Sequence, residues 1–260
     1  IGFHRFVAIT VISGPCETKP ELLSMFTPCI AAYSSGNEDT GAYGHYWAPL
    51  TGNRSDEHWT YQTSSDLEGL PVVGTMATYG GGGFVATLGT LRHEALKTIR
   101  SLKSENWIDR QARAVFVDFT VYNANINLFG TVTLLMELIL TGGTIHSHSI
   151  SVYRLFNYVG SSGHLILAAQ IVFVLFLIYF MFHEYKKLKK DRLKYFRSFW
   201  NSIEFISILL SLMAIALFVV KYLMTNMAIE TIVKSKVFVN FQRIAYWDGV
   251  YSQISAILVF

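Results

Sequence analysis

His146 and His148 stand two residues apart in a Ser/Thr-rich segment, and on a β-strand that spacing turns both imidazoles to one face. Such a pair suits zinc, but a closed zinc site needs four ligands and no cysteine or carboxylate stands near them in the sequence. The carboxylates Asp109, Asp118 and Glu137 fall in or beside strand-like patterns, where salt-bridging Arg110 or Arg113 is a more ordinary role than acid catalysis. The chain carries neither an HExxH helix nor a GxSxG elbow. The run Gly80 to Gly83 lacks the Gly-Lys-Ser/Thr ending of a phosphate loop, and Ala86 stands where the third glycine of a dinucleotide-binding turn would be. It reads as a bend or a close backbone approach. The expectation is a protein that is not an enzyme and holds no cofactor or metal.

Glu204 is of another kind. It lies in a long apolar run, where an acid is costly unless it faces a partner or water. Tyr179, Phe180 and Glu184, toward the end of the preceding apolar run, complete an aromatic and acidic set able to hold a basic side chain from a third helix. The plain alternative for Glu204 is an interfacial acid reaching to water.

The elements that must position these residues divide near residue 160. Hydrophobic residues make up 52% of the 260 and charged ones 15%, against about 45–50% and 25% in ordinary soluble domains. Leu165 to Phe182 carries no charge, and Ser202 to Leu223 is of spanning length with Glu204 near its start and Lys221 near its end. Between them, residues 185–197 hold seven basic side chains, which places this loop in the cytoplasm by the positive-inside rule. The same loop suits anionic lipid headgroups. Residues 1–160 then lie outside the cell or in a lumen. Two features agree with that side: Cys16 and Cys29, free thiols or a pair in an oxidising compartment, and the glycosylation acceptor Asn53-Arg54-Ser55. No basic patch interleaved with aromatics appears in the first half, so nucleic acid is set aside.

Within residues 1–160, Val7 to Ile12 and Val72 to Thr78 read as strands, and Thr90 to Asn106 as a helix with Leu91, Ala95, Ile99 and Leu102 at helical spacing. Two long strands come next, from Val115 to Tyr122 and from Leu128 to Leu140, with apolar and polar residues alternating. The expected fold is α+β, helices packed on an antiparallel sheet, joined to transmembrane helices in residues 161–260. The start at Ile1 and the stop within the apolar run 256–260 read as a segment of a longer polypeptide.

Three stretches resemble the polycystin family of transient-receptor-potential channels. The first is Trp107-Ile108-Asp109-Arg110-Gln111-Ala112-Arg113, continuing through Tyr122-Asn123-Ala124-Asn125-Ile126-Asn127 to Thr141-Gly142-Gly143. The second is Tyr195-Phe196-Arg197-Ser198-Phe199-Trp200-Asn201, and the third Ala245-Tyr246-Trp247. The resemblance implies an extracellular polycystin domain over 1–160 and, over 161–260, the second helix (Leu165 to Glu184), the third (Trp200 to Leu223) and the start of the fourth (Arg243 to Phe260) of a voltage-sensor-like bundle. It implies that Cys16 and Cys29 form the family's extracellular disulfide. It also places Glu204 at the family's acidic position in the third helix, stabilising charge together with Glu184, Tyr179 and Phe180.

The function implied by the resemblance is that of a subunit of a tetrameric cation channel, often calcium-permeable, whose ectodomain packs against neighbours over the pore. Partners would be polycystin-2-type subunits or further copies of the chain, with membrane lipids around it and cations such as calcium conducted. The wording at Gly80 to Gly83 and Trp107 to Arg110 is closer to the polycystin-1-like and egg-jelly-receptor-like branch than to the polycystin-2 branch. The location implied is the plasma or ciliary membrane, or the endoplasmic reticulum. The other reading is a membrane-tethered receptor or adhesion protein whose channel-like helices only anchor it.

Overall fold

The computed structural model describes residues 4–12, 19, 21, 30–50, 57–89, 91–156, 158, 161–235 and 238–259. Cys16, Cys29 and Asn53 lie outside the described residues. Contacts group the chain into two units: Ile1–Ala124, Phe129–Val152 and Thr231–Arg243 form the first, and Asn125–Leu128, Tyr153–Glu230 and Ile244–Phe260 the second.

The first unit is built on β1 (His4–Thr10), β2 (Tyr43–Gly44), β3 (Ala48–Pro49), β4 (Tyr61–Gln62), β5 (Val72–Val73), β6 (Thr78–Tyr79), β7 (Gly83–Gly89), helix α1 (Arg92–Ser104), β8 (Ala112–Asn123), β9 (Leu128–Leu138) and β10 (Thr144–Tyr153). Six of the strands make one sheet in the order β10-β9-β8-β1-β7-β4. β1 runs antiparallel to both neighbours, Phe6 opposite Ala86 on one side and Val117 on the other. Being central, β1 and the first half of β8 are buried on both faces, and their sequences carry continuous apolar runs, Phe6 to Ile9 in the one and Ala114 to Val117 in the other. β9 shows the clean alternation of a half-solvated strand, whereas the outer half of β8 passes from buried Asp118 to exposed Val121, Tyr122 and Asn123.

Two clusters fill the unit. Val7, Ile9, Tyr79, Val85, Phe116 and Leu135 pack on one face, and Ala8, Trp59, Phe84, Leu102 and Trp107 on the other. α1 closes the second face through Leu102, the buried member of its apolar stripe. The helix ends where Asn106 turns left-handed (φ 50°), a conformation asparagine tolerates better than most residues, and Trp107 then drops into the core.

Several expectations shift here. β1 covers His4–Thr10 instead of 7–12, and the single strand foreseen over 72–78 is a hairpin of β5 and β6. Its turn is set by the Gly74 amide bonding the Ala77 carbonyl at 2.9 Å. β9 stops at Leu138 because 139–143 form a turn, Gly142 with φ 91°. β7 and β10 were not foreseen, glycines masking the one and Ser/Thr residues the other. The glycine run does mark a close approach: a Cβ on Gly81 would lie 2.5 Å from the Gly69 carbonyl carbon.

The second unit holds most of α2 (Ser161–Asp191), α3 (Phe199–Ser235) and α4 (Gln242–Val259), with a short 3₁₀ segment at Arg192–Arg197. α2 has 31 residues and α3 37, roughly 46 and 55 Å at 1.5 Å per residue. Each exceeds a hydrocarbon core of about 30 Å. Just 6% of the apolar stretch of α2 and 11% of that of α3 are buried. A helix in the core of a soluble protein would be covered; these present Leu175, Phe176 and Phe182 outward, as a lipid environment requires. α3 runs twelve residues past the Leu223 boundary expected from hydropathy.

Candidate functional site

The polar side chains at the basic end of α2 and α3 converge. Lys187 donates to Glu184 Oε1 at 2.7 Å and to Glu204 Oε2 at 2.8 Å, so one ammonium is held between carboxylates from two apolar helices. Glu184 is almost wholly buried, whereas the Glu204 side chain is about half exposed at 51%. Glu184 also accepts the Tyr195 hydroxyl, whose oxygen lies 2.8 Å from the Asn201 carbonyl. Burial and the adjoining Glu184 carboxylate push that phenol up to about 12, so it stays a donor at any physiological pH. The Asn201 amide returns a bond to the Tyr195 carbonyl, closing the turn into α3.

Of the four residues expected to act together, Glu184 and Glu204 meet on this ammonium. Tyr179 and Phe180 are exposed and meet edge to face, ring centres 5.6 Å apart, and neither bonds to the polar cluster among the described contacts. The cation is Lys187 of α2 itself, a residue that charge counting absorbs into the basic loop. Its offset of three from Glu184 on the same helix was the signal available.

A second polar centre lies within the first unit. Arg5 Nε and Nη2 both reach Asp118 Oδ2 at 3.2 Å, with both side chains nearly inaccessible. Thr133 donates to Asp118 Oδ1 at 2.9 Å. The remaining partner comes from the start of α4, where the α3–α4 connector ends: Gln242 Nε2 lies 3.1 Å from the same oxygen and 2.7 Å from Thr133 Oγ1. Two residues earlier, Asn240 Nδ2 reaches the carbonyls of Leu67 and Glu68, each at 3.2 Å, while its Oδ1 accepts the Gln242 amide and caps α4. Phe238 stacks over the Arg5 guanidinium at 4.5 Å, and Phe241 packs on Phe129. The connector is thus bonded into the sheet.

The expected pairing of Asp109, Asp118 and Glu137 with Arg110 or Arg113 is corrected. Asp118 binds Arg5, which the chain brings alongside as the β1 neighbour of β8. Asp109 accepts the Gln111 and Ala112 amides at the start of β8, and its charge still acts on Arg113, though without a direct bond among the described contacts. Glu137 takes the amides of Thr75 and Met76, each at 2.8 Å, and the Tyr79 hydroxyl at 3.0 Å. Burial alone would raise its pKa, but these donors outweigh it and the carboxyl lies below its ordinary value. Arg113 donates to the carbonyls of Ala31, Arg110 and Ala112.

The remaining motif residues act in structure. Trp107 is buried and donates to the His58 carbonyl at 2.9 Å. Tyr122 stacks on Phe129 across the hairpin. Asn123 ends β8, Asn125 lies in the following turn, and Asn127, left-handed at φ 52°, donates to the Phe156 carbonyl at 2.7 Å. His146 and His148 share the exposed face of β10. Among the described residues no three His, Cys, Asp or Glu side chains are grouped as metal ligands.

Comparison with known proteins covers the whole chain. Residues 1–156 match the polycystin domain, and residues 157–260 match the polycystin cation channel family. The human polycystin-2-like protein 1 is 30% identical over 261 aligned positions, taking in all of this chain and 31% of that protein. Polycystin-2 of Caenorhabditis elegans is 37% identical over 78% of the chain and 28% of its own length. Polycystin-1-like protein 3 of Mus musculus is 34% identical over 67% of the chain and 8% of its own length. The chain therefore spans about a third or less of these relatives.

Proposed function

Because the chain belongs to the polycystin family, we propose that it is part of a polycystin-type cation channel subunit, calcium-permeable and assembled with polycystin-2-type subunits as a heterotetramer. The observation that carries the reading is the carboxylate pair Glu184 and Glu204, set on two apolar helices and closed on one ammonium. Acids in such a place are retained to hold positive charge against a medium that rejects it. Lys187 fills the site, and a basic residue of a moving helix would compete for the same oxygens.

The docked connector supports the assembly half of the reading. Gln242 begins α4 and is bonded to Asp118 and Thr133, so an ectodomain that packs on neighbouring subunits holds that residue as well. The basic segment between α2 and α3 supports a cytoplasmic position for that end and an extracellular or lumenal one for residues 1–160. With it go a Cys16–Cys29 disulfide, glycosylation at Asn53, and a plasma or ciliary membrane location. Relatives of both the polycystin-2 and polycystin-1-like kinds match the chain; the polycystin-1-like assignment rests on the wording at Gly80 to Gly83 and Trp107 to Arg110.

The test is patch-clamp recording of cells expressing the full-length protein alone and with a polycystin-2-type partner. Currents whose ion selectivity changes with this protein's own pore-region residues are expected. Confirmed surface delivery with no current, and no change in the partner's current, would overturn the channel reading in favour of a membrane-tethered receptor.

A further inference from the structure

Lys221 of α3 joins three segments of the second unit. Its ammonium donates to the Arg154 carbonyl at 3.1 Å and to the Asp248 carboxylate of α4, and stands 6.0 Å from the centre of the Tyr251 ring. The lysine is buried, and among the described residues its charge is matched by Asp248 alone. Beside this pair lies a cavity of about 140 Å³ walled by Leu155, Phe156, Phe218, Tyr222, Thr225 and Asn226.

Thr225 is the telling residue. It is 4% exposed, and its hydroxyl has no hydrogen-bond partner among the described residues. A helical threonine ordinarily bonds back to the carbonyl four residues earlier, and a buried hydroxyl left unpaired is costly. The polar side chains lining the cavity (Tyr158, Lys221, Tyr222, Thr225 and Asn226) all carry N–H or O–H donors, and among the described residues no carboxylate lines it. That wall suits an oxyanion. Its depth is also informative: Lys221 lies 22 residues beyond Phe199, about 33 Å along the helix and close to one hydrocarbon thickness. The cavity therefore falls at the headgroup level of the leaflet opposite the basic loop, with apolar walls where glycerol and upper acyl carbons would lie.

We propose that this cavity binds a phosphate oxyanion, carried by a membrane phospholipid, with Thr225 and Asn226 as donors and Lys221 as its counter-charge. A phosphate there competes with Asp248 for one ammonium, so occupancy loosens the attachment of α4 to α3. The proposal rests on α2 and α3 spanning a membrane and not on conduction.

The test uses the full-length protein in detergent, titrated with dioleoylphosphatidylglycerol, with dioleoylglycerol lacking the phosphate, and with inorganic phosphate, bound lipid being counted by native mass spectrometry. Phosphatidylglycerol should be retained and dioleoylglycerol lost. Thr225→Val should weaken retention about tenfold, or about 1.4 kcal/mol. Phe218→Trp, which fills the cavity from its apolar wall, should weaken it with Lys221 and Asp248 intact. Displacement by inorganic phosphate supports the oxyanion site and assigns it to a soluble ion. Equal retention by the wild type and both variants overturns the proposal. So does a Thr225→Val protein that melts higher and binds lipid as before, since its hydroxyl was then merely idle or wet. Thr225-dependent lipid binding in a protein that never conducts would sink the channel reading alone.

Discussion

Gln242, the first residue of α4, reaches Asp118 Oδ1 at 3.1 Å across 124 positions of sequence. That oxygen belongs to the carboxylate that neutralises Arg5, so the start of α4 is fastened to the most deeply buried ion pair of the sheet. Asp118→Ala strands a buried guanidinium and should cost about 3–5 kcal/mol. Gln242→Leu removes one bond to a charged acceptor and should cost about 1–3 kcal/mol. Thermal melting of the purified protein ranks the two; equal and negligible losses would show that the connector does not load this centre.

Glu137 predicts a pH dependence. Its carboxyl is depressed below the ordinary 4.5 because backbone amides and Tyr79 favour the charged form more than burial disfavours it. The stability it contributes is therefore complete above the unfolded value and is lost as pH falls through the depressed folded one. The protection of the Thr75 and Met76 amides, measured against their intrinsic exchange rates at each pH, should fall on acidification through this range. Glu137→Gln should exchange quickly at neutral pH and lose the acid step.

Two adjacent glycines should behave differently. Gly81→Ala puts a methyl 2.5 Å from the Gly69 backbone and should destabilise by about 1–3 kcal/mol. At Gly80 the nearest atom is the end of Glu38, 3.8 Å away, and Gly80→Ala should be close to neutral. Chemical denaturation with matched m-values separates them, and equal losses would count against the close approach.

For Glu204 the role proposed above predicts an effect on gating. Its bond to Lys187 is half exposed and contributes little to stability. A hold on one charge that differs between two states by a fraction of the roughly 2.3 kcal/mol supplied by 100 mV shifts their balance by roughly 20–40 mV. Glu204→Gln should move the voltage of half-activation by that order at unchanged surface expression. An unmoved curve would leave it a plain interfacial acid.

The parts of this protein legible from its sequence are those with a period. α2 and α3 announce themselves by uninterrupted apolar length, α1 by its stripe, and β9 by alternation. β1 and the first half of β8 alternate poorly because both faces are covered. Polar centres carry no period. Arg5 and Asp118 are 113 positions apart, Thr75 and Glu137 62, and each pair meets because the topology folds them together. Glu184 and Glu204 were legible because a carboxylate in an apolar run is conspicuous alone. Lys221 was visible in the same way, but its partner Asp248 stands in a segment whose apolar character is broken by Gln, Arg, Asp and Ser, where one more acid draws no notice.

The strand order has a consequence for biosynthesis. β1 is the earliest described strand, yet it lies between β7 and β8 and cannot be paired on both sides until residues 112–123 have been made. At about 5–20 residues per second that is a wait of roughly 5–20 s. Its apolar segment stays incompletely paired in the meantime. Asn240 and Gln242 come later still, after both long helices, so a ribosome that stalls between residues 153 and 240 leaves a sheet with all its strands but with its last polar partners missing.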